Sequence, residues 1–186
     1  MSTLFIPIIE GTTRVKRESI HAARFILEVS KEIPGIETVL VDPNDFTLPG
    51  DGNDPESKDP KYTELTLKAD AFFIVAPEYN HSFSGSLKRL LDSELTNYKH
   101  KPVAFAGVSS GMIGGARAIE ALTMTTRKMG LVTLSHDVHF PFVQDLFNED
   151  GSVKDHAYVE RVKKVFTELI WMANALKTAR ETTPQA

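Results

Sequence analysis

The 186-residue sequence contains no cysteine, a single tryptophan and no long apolar segment. Without cysteine, the chain cannot form disulfides, bind a metal through thiolates or use a thiol nucleophile. No apolar run approaches the about eighteen residues of a membrane-spanning helix. The short apolar run near the N-terminus has no basic segment before it, so we expect no signal peptide. These absences predict a cytoplasmic protein without a membrane partner.

The sequence also lacks an excess of positive charge. Its 21 Lys and Arg residues are outnumbered by 25 Asp and Glu residues, which gives a net charge of -4. Non-specific nucleic-acid binding needs a basic surface, so we expect no nucleic-acid partner. A composition of 41% hydrophobic and 25% charged residues is typical of a globular protein. We predict one domain over residues 1–186, which is long enough to bury a full core.

Apolar segments alternate along the chain with segments of helical periodicity. Strands are predicted over 4–9, 36–41, 71–76, 103–108 and 131–134, and helices over 20–32, 60–69, 84–98, 115–129 and 154–180. This alternation is typical of βαβ units and a parallel sheet. We therefore predict an α/β fold of the flavodoxin-like, three-layer sandwich type. Its five-stranded parallel sheet has the order 2-1-3-4-5, with helices on both faces.

Individual residues refine these elements. Ser19 and Ser84 are expected to be helix N-caps, and Gly130 is expected to end the fourth helix. Trp171 is expected to pack at the edge of the apolar stripe of the last helix. The polar connection over 42–60 is longer than ordinary packing requires, which predicts a mobile or functional segment.

The first candidate binding segment is loop 1, residues 11–19, which follows the first strand. Backbone N–H groups at a helix N-terminus suit a phosphate. Thr12 and Ser19 offer hydroxyl groups, and Arg14 or Arg17 can direct two N–H groups at phosphate oxygens. The loop has no Walker lysine and no G-x-G-x-x-G pattern, so neither a triphosphate nor a dinucleotide is expected here. The alternative is a solvated basic loop in which Ser19 only caps the helix.

The second candidate segment is loop 3, residues 78–84, which follows a continuous apolar run. Ligands of open α/β sheets bind beyond the carboxyl ends of such strands. Pro77 rigidifies the turn, while Tyr79 and Asn80 can face a flat ligand. An aromatic side chain beside such a ligand adds stacking of about 0.5–1.5 kcal/mol beyond burial. Glu78 has no evident partner in the sequence and is expected to hold the loop.

The third candidate segment is loop 4, residues 109–115, which is rich in glycine after the fourth strand. Glycines such as Gly111 let the backbone approach a planar ligand closely, and Ser109 and Ser110 add hydroxyl groups. Residues 107–111 also match G-x-S-x-G, the nucleophile elbow of α/β-hydrolases. In that alternative Ser109 is the nucleophile, with Asp137 or Asp145 and then His139 or His156 as its partners.

Two observations weigh against the hydrolase. Residues 112–115 delay the helix that should follow an elbow directly, and a hydrolase gives no role to Arg14 or Arg17.

The segment 136–139 places two imidazoles near a carboxylate, but it has no third ligand nearby. We therefore expect no metal site.

These segments together resemble the NADPH-dependent FMN reductase family. The resemblance lies in Pro77-Glu78-Tyr79-Asn80-His81-Ser82, in Gly11, Arg14, Arg17 and Ser19 of loop 1, and in Gly85, Leu87 and Lys88. Lys16 stands where the family has glycine, Thr12 replaces serine, and Ser84 and Ser86 also depart from the pattern. The similarity covers about residues 4–134.

The resemblance implies a bound FMN that takes a hydride from NADPH, preferred over NADH. The electrons would pass to a small-molecule acceptor such as a quinone, an azo compound or free flavin. It further implies that loop 4 contacts the isoalloxazine through main-chain amides and a serine, and that the chain forms homodimers or tetramers. The cofactor carries the hydride chemistry, so no catalytic side chain is expected. A flavodoxin-like electron carrier without turnover remains an alternative.

Overall fold

Six strands form one parallel sheet in the part of the chain that the computed structural model describes, residues 3–48 and 58–183. The strands are β1 Leu4–Glu10, β2 Ile36–Val41, β3 Phe72–Pro77, β4 Pro102–Val108, β5 Val132–Thr133 and β6 Val138–Phe140. Their order is β2-β1-β3-β4-β5, which confirms the predicted topology, and β6 also pairs with β4. β1, β3 and β4 are buried along their whole length, as expected for strands covered on both faces.

The edge next to β4 differs from the prediction. Val103 pairs with Thr133 in β5, and Ala106 pairs with Val138 in β6. The two short strands therefore occupy the place of one fifth strand, and Leu134, which follows β5, is still buried and bonded to Val103 O. The sequence missed β6 because three residues with an exposed histidine in the middle carry too little periodicity.

The helices are α1 Ser19–Lys31, α2 Pro60–Lys68, α3 Gly85–Asp92, α4 Ala116–Lys128, α5 Val143–Leu146 and α6 Ala157–Thr182. One core cluster joins Ile6 and Ile8 of β1 to α1 and α6, and the other joins Phe5 and Ile9 of β1 to α2, α3 and α4. Alternate side chains of the same strand thus enter opposite cores. The predicted three-layer arrangement is confirmed.

Several details of the helices correct the sequence interpretation. α1 begins at Ser19 itself, and the preceding Glu18 makes no side-chain cap, so the prediction of Ser19 as N-cap was wrong. α3 ends at Asp92, and a short 3₁₀ helix follows at Thr96–Tyr98. Trp171 is 70% exposed instead of packed.

Two predicted helix ends are confirmed. Ser84 Oγ accepts a hydrogen bond from Leu87 N at 3.1 Å and so caps α3. Gly130 has φ of +87° directly after α4, a conformation that favours glycine. None of the helices in residues 3–48 and 58–183 is long and apolar enough to cross a membrane.

The connection over 42–60 begins with a 3₁₀ helix at Pro43–Asp45, where Asp42 accepts a hydrogen bond from Asn44 N at 3.0 Å. Residues 49–57 lie outside the described residues. The expectation that this segment is mobile or functional remains a prediction.

Candidate functional site

Loops 1, 3 and 4 emerge side by side at the carboxyl edge of the sheet, because β1, β3 and β4 are neighbours. Gly11 brings loop 1 against β3. A Cβ at this position would lie 2.3 Å from Val75 O and 2.8 Å from Pro77 Cδ. Only glycine fits there, so the contact between loop 1 and the end of β3 is built into the backbone.

Hydroxyl groups join loop 1 to loop 3 and α3. Thr12 is 3% exposed, and its Oγ1 lies 3.1 Å from Tyr79 Oη. Ser86 Oγ accepts from Thr13 N at 3.2 Å, while Ser84 Oγ donates to Gly11 O. The two serines that depart from the family pattern therefore fix the position of loop 1.

A shallow groove of about 630 Å³ lies between loop 1 and α3. Arg14 lines it with an exposed side chain that forms no hydrogen bond or ion pair among residues 3–48 and 58–183. The other lining residues are Thr12, Thr13, Tyr79, Ser84, Gly85, Ser86, Lys88 and Arg89. The groove combines a free guanidinium with hydroxyl groups, which are donors that suit a phosphate.

The other two predicted phosphate ligands lie elsewhere. Arg17 binds the carboxylate of Asp42 through Nη2, and its Nη1 donates to Arg14 O at 3.2 Å. Ser19 is buried and donates its hydroxyl hydrogen to Glu10 Oε1 at 2.6 Å. The structure brings Thr12 and Arg14 together in the groove and turns Arg17 and Ser19 toward carboxylates.

Glu10 is the residue that the sequence reasoning missed. It is the last residue of β1 and is fully buried. Burial raises the pKa of Glu10 to about 7, although the Ser19 hydrogen bond and the Arg17 charge oppose this shift. A charged residue ending an otherwise apolar strand was the available sequence signal.

Loop 3 is a tight turn. Tyr79 and Ser82 exchange backbone hydrogen bonds of 2.7 and 2.9 Å, and the intervening Asn80 and His81 have φ of +49° and +65°. Positive φ at both central residues defines the type I′ class of turns, in which asparagine is favoured. Asn80 is exposed at the tip of this turn.

Glu78 anchors loop 3 to α4. Its backbone N donates to Val108 O at 2.8 Å, and its carboxylate Oε1 lies 3.3 Å from Arg117 Nη1. The sequence offered no partner for Glu78, because Arg117 is 39 positions away. The second carboxylate oxygen is buried without a hydrogen-bond partner in the described part of the chain.

Loop 4 folds back tightly on the end of β4. A Cβ on Gly107 would lie 2.4 Å from Gly114 O, and one on Gly115 would lie 2.3 Å from Val108 N. Ser110 and Gly111 are exposed at the other end of the loop. The glycines thus form a close-packed base that presents the main chain of Ser110 and Gly111 to solvent.

The segment after β6 braces loop 4. Val143 N donates to Ser109 O at 3.2 Å, and Phe142 N donates to Gly111 O at the same distance. Phe142 has φ of +47° and is 48% exposed. A positive φ on a bulky residue is uncommon and marks a segment held by its surroundings.

Ser109 does not have the environment of a hydrolase nucleophile. Its hydroxyl donates to Gly111 O at 2.8 Å and bonds no imidazole within residues 3–48 and 58–183. His139 Nδ1 lies 3.2 Å from Gly114 O, and His136 Nδ1 lies 2.8 Å from Glu168 Oε2. Within the same residues, no group of three or more His, Asp and Glu side chains could hold a metal ion.

Known proteins share both the sequence pattern and the fold. The model of the family described as NADPH-dependent FMN reductase matches residues 6–145. The NAD(P)H-dependent FMN reductase of Pseudomonas aeruginosa is 29% identical over 118 residues, which span 60% of this chain and 64% of that enzyme. A probable NADPH:quinone oxidoreductase of Oryza sativa subsp. japonica is 30% identical over 163 residues, or 81% of this chain and 77% of that protein.

One solved structure shows the likeness in three dimensions. FerB, a flavoenzyme NAD(P)H:(acceptor) oxidoreductase from Paracoccus denitrificans, gives a TM-score of 0.75 at 23% identity, covering 92% of this chain and 98% of that chain. At this identity the superposition shows the flavodoxin-like fold alone. The family match is stronger, because it extends through loops 1, 3 and 4 and over most of the chain. The predicted resemblance is confirmed: this chain belongs to the NADPH-dependent FMN reductase family of oxidoreductases.

Proposed function

We propose that the protein binds FMN at the carboxyl edge of its sheet, reduces it with a hydride from NAD(P)H and passes the electrons to a small-molecule acceptor. The observation that carries this proposal is the groove between loop 1 and α3. The Arg14 guanidinium and Tyr79 of loop 3 both line this groove. One site therefore combines a phosphate donor set with an aromatic side chain for a ring system.

The residues present fit FMN. The FMN phosphate would be held by the Arg14 guanidinium and by the backbone N–H groups that follow Arg14 in loop 1, with Arg17 and Ser19 supporting the loop through their contacts with carboxylates. The isoalloxazine would lie beyond the groove, against Tyr79, Asn80 and the backbone that begins with Pro77 and Glu78. When bound, FMN supplies the hydride chemistry.

Loop 4 would contact the ring from the other side. The exposed main chain at Ser110 and Gly111, with Ser109 at the start of the loop, can donate hydrogen bonds to a ring that gains negative charge. Ser109 holds the loop through its bond to Gly111 O. No side chain is assigned a catalytic role.

Exposed apolar side chains in loop 4 and in the segment that braces it support a planar, apolar acceptor. Met112 is 78% exposed and Ile113 is 42% exposed, and Phe142 is bonded to the same loop. We propose a quinone as the preferred acceptor, with azo compounds and free flavin as the other candidates. The quinone preference is supported by the similarity to the probable NADPH:quinone oxidoreductase of Oryza sativa subsp. japonica.

We further propose that residues 1–186 form one FMN-binding domain of a cytoplasmic homodimer. The groove between α3 and α4 supports association, because Leu95 and Met124 there are 49% and 75% exposed. Sedimentation analysis of the purified protein tests this, and a monomer at micromolar concentration would contradict it.

Flavin extraction and steady-state turnover test the main proposal. FMN should be recovered from the purified or reconstituted protein, and NADPH oxidation should depend on an added quinone. Recovery of FAD, or failure to bind any flavin, would contradict the cofactor assignment. FMN binding without NADPH oxidation would instead identify an electron carrier.

A further inference from the structure

A buried carboxylate lies directly beneath loop 1. Glu10 Oε1 accepts the hydroxyl hydrogen of Ser19 at 2.6 Å and lies 3.8 Å from Arg17 Nε. Glu10 Oε2 and Arg17 Nε are both buried and have no hydrogen-bond partner in the described residues. A carboxyl group and a guanidinium therefore face each other, each with a polar atom that remains unused.

Arg17 stands between two carboxylates. Its Nη2 binds Asp42, and its Nη1 holds the carbonyl oxygen of Arg14, the residue that lines the groove. With Glu10 ionised, two carboxylates oppose one guanidinium, and the cluster has an excess negative charge. With Glu10 protonated, Arg17 and Asp42 neutralise each other.

Among residues 3–48 and 58–183, two charged groups face Glu10: Arg17 of loop 1 and Asp42, the residue after β2. Ser19, at the start of α1, adds an uncharged hydroxyl group. On β3, the neighbouring residue in register is the apolar Val75. Because burial raises the pKa of Glu10 to about 7, both protonation states of the carboxyl group are populated near neutral pH.

We propose that Glu10 is a positioning residue of the phosphate site, and that it takes up a proton when a phosphate group binds above it in loop 1. The physical reason is that an anion in the groove repels the negative charge of the cluster beneath. A protonated Glu10 removes that charge and leaves Arg17 in place to hold the Arg14 carbonyl. The inference rests on the proposed assignment of the FMN phosphate to this groove.

The direction of the pH dependence follows from this coupling. Nearby negative charge raises the pKa of a carboxyl group, so the pKa of Glu10 is higher with phosphate bound than without it. FMN affinity is then greatest below about pH 7, and falls by at most about tenfold per pH unit above it. The phosphate itself loses its second proton at about pH 6. Above about pH 7 its charge is therefore nearly constant, and the change in affinity there reports the ionisation of Glu10.

The proposal is tested by adding protein to FMN and measuring the quenching of flavin fluorescence, at several pH values between about 7 and 9. In the wild-type protein the Kd should rise about tenfold or more across this range. Glu10→Gln keeps the size of the side chain and can still accept from Ser19, but it stays neutral. Its Kd for FMN should remain flat and equal the wild-type value at the low end of the range.

Matched controls separate this coupling from a general charge effect. Glu18→Gln removes an exposed carboxylate from the same loop, and its Kd should rise with pH in parallel with the wild type. Riboflavin, which lacks the phosphate, should bind with little pH dependence. Calorimetry in two buffers of different ionisation heat should show proton uptake on FMN binding to the wild type and none with Glu10→Gln.

A second variant keeps the test valid if Glu10→Gln does not fold. Asp42 raises the pKa of Glu10, so Asp42→Asn should move the fall in FMN affinity to lower pH. The same Kd-versus-pH curve in the wild type and both variants, with no proton uptake, would overturn the inference while FMN binding stands. No FMN binding in the wild type would overturn the proposed function as well.

Discussion

Replacing each of the two arginines of loop 1 by alanine should have opposite effects on FMN affinity and on the stability of the apoprotein. Arg14 is exposed, its side chain forms no hydrogen bond or ion pair within the described residues, and it lines the groove. Arg14→Ala should therefore leave the free energy of unfolding of the apoprotein unchanged. It should remove a charge-assisted contact of about 1.5–3 kcal/mol to the FMN phosphate. This loss corresponds to about ten- to a hundredfold weaker binding.

Arg17→Ala should show the reverse pattern. The side chain of Arg17 is 14% exposed, and its removal leaves Glu10 and Asp42 without their shared partner. Breaking such a partly buried contact should lower the free energy of unfolding by about 1–3 kcal/mol. Arg17 is not expected to contact the phosphate, so FMN affinity should fall only through the altered conformation of loop 1.

Urea unfolding of the apoproteins and fluorescence titration with FMN measure both quantities. Arg24→Ala, an exposed arginine on α1, is the matched control and should change neither. With saturating FMN, Arg14→Ala should recover most of its NADPH oxidation, because the ring end of the site is untouched. Unchanged affinity in Arg14→Ala together with a large loss in Arg17→Ala at full stability would refute the orientation of loop 1.

Three further replacements test other parts of the site and the fold. Ser109→Ala should keep most NADPH-driven quinone reduction, and the wild-type protein should not hydrolyse simple esters. An esterase activity in the wild type that disappears in this variant would favour the hydrolase alternative. Gly11→Ala should lower both the free energy of unfolding and the FMN affinity, because its Cβ would lie 2.3 Å from a β3 carbonyl oxygen. Gly85→Ala is the control: its Cβ would meet open space, so it should not destabilise the protein. Asp70→Asn should lower the free energy of unfolding, measured with urea, by about 1–3 kcal/mol. The buried carboxylate of Asp70 accepts from Phe5 N at 3.0 Å and from Lys177 Nζ at 3.1 Å. An unchanged urea midpoint would show that these bonds do not stabilise the fold.

The central fold could be predicted because its strands are continuous apolar runs. β1, β3 and β4 are buried throughout, and burial on both faces leaves an unambiguous pattern. β5 was predicted over 131–134 and is confirmed at Val132–Thr133, but β6 was missed, since it is defined by its register against β4 and not by its own residues. Periodicity alone also extended α3 too far, to include Leu95, which is 49% exposed.

The candidate site was predictable in position but not in orientation. The chain order places Arg14 and Tyr79 at neighbouring strand ends, and the structure brings both into one groove. The directions of Arg17 and Glu78 depend on Asp42 and Arg117, which lie 25 and 39 positions away. No local pattern encodes such pairs, so residue type alone could not separate a ligand from a support.

The departures from the family pattern explain how loop 1 keeps its shape in this chain. Lys16 replaces a glycine, yet it is exposed and is not among the residues with positive φ, so the turn does not need glycine there. Ser84 and Ser86 instead bond Gly11 O and Thr13 N from the α3 side, while Arg17 bonds Arg14 O from below. Side-chain hydrogen bonds on two sides of the loop therefore fix the backbone from which Arg14 extends into the groove. Because one of these supports is coupled to the buried Glu10, the same contacts that shape the loop also make it sensitive to protonation.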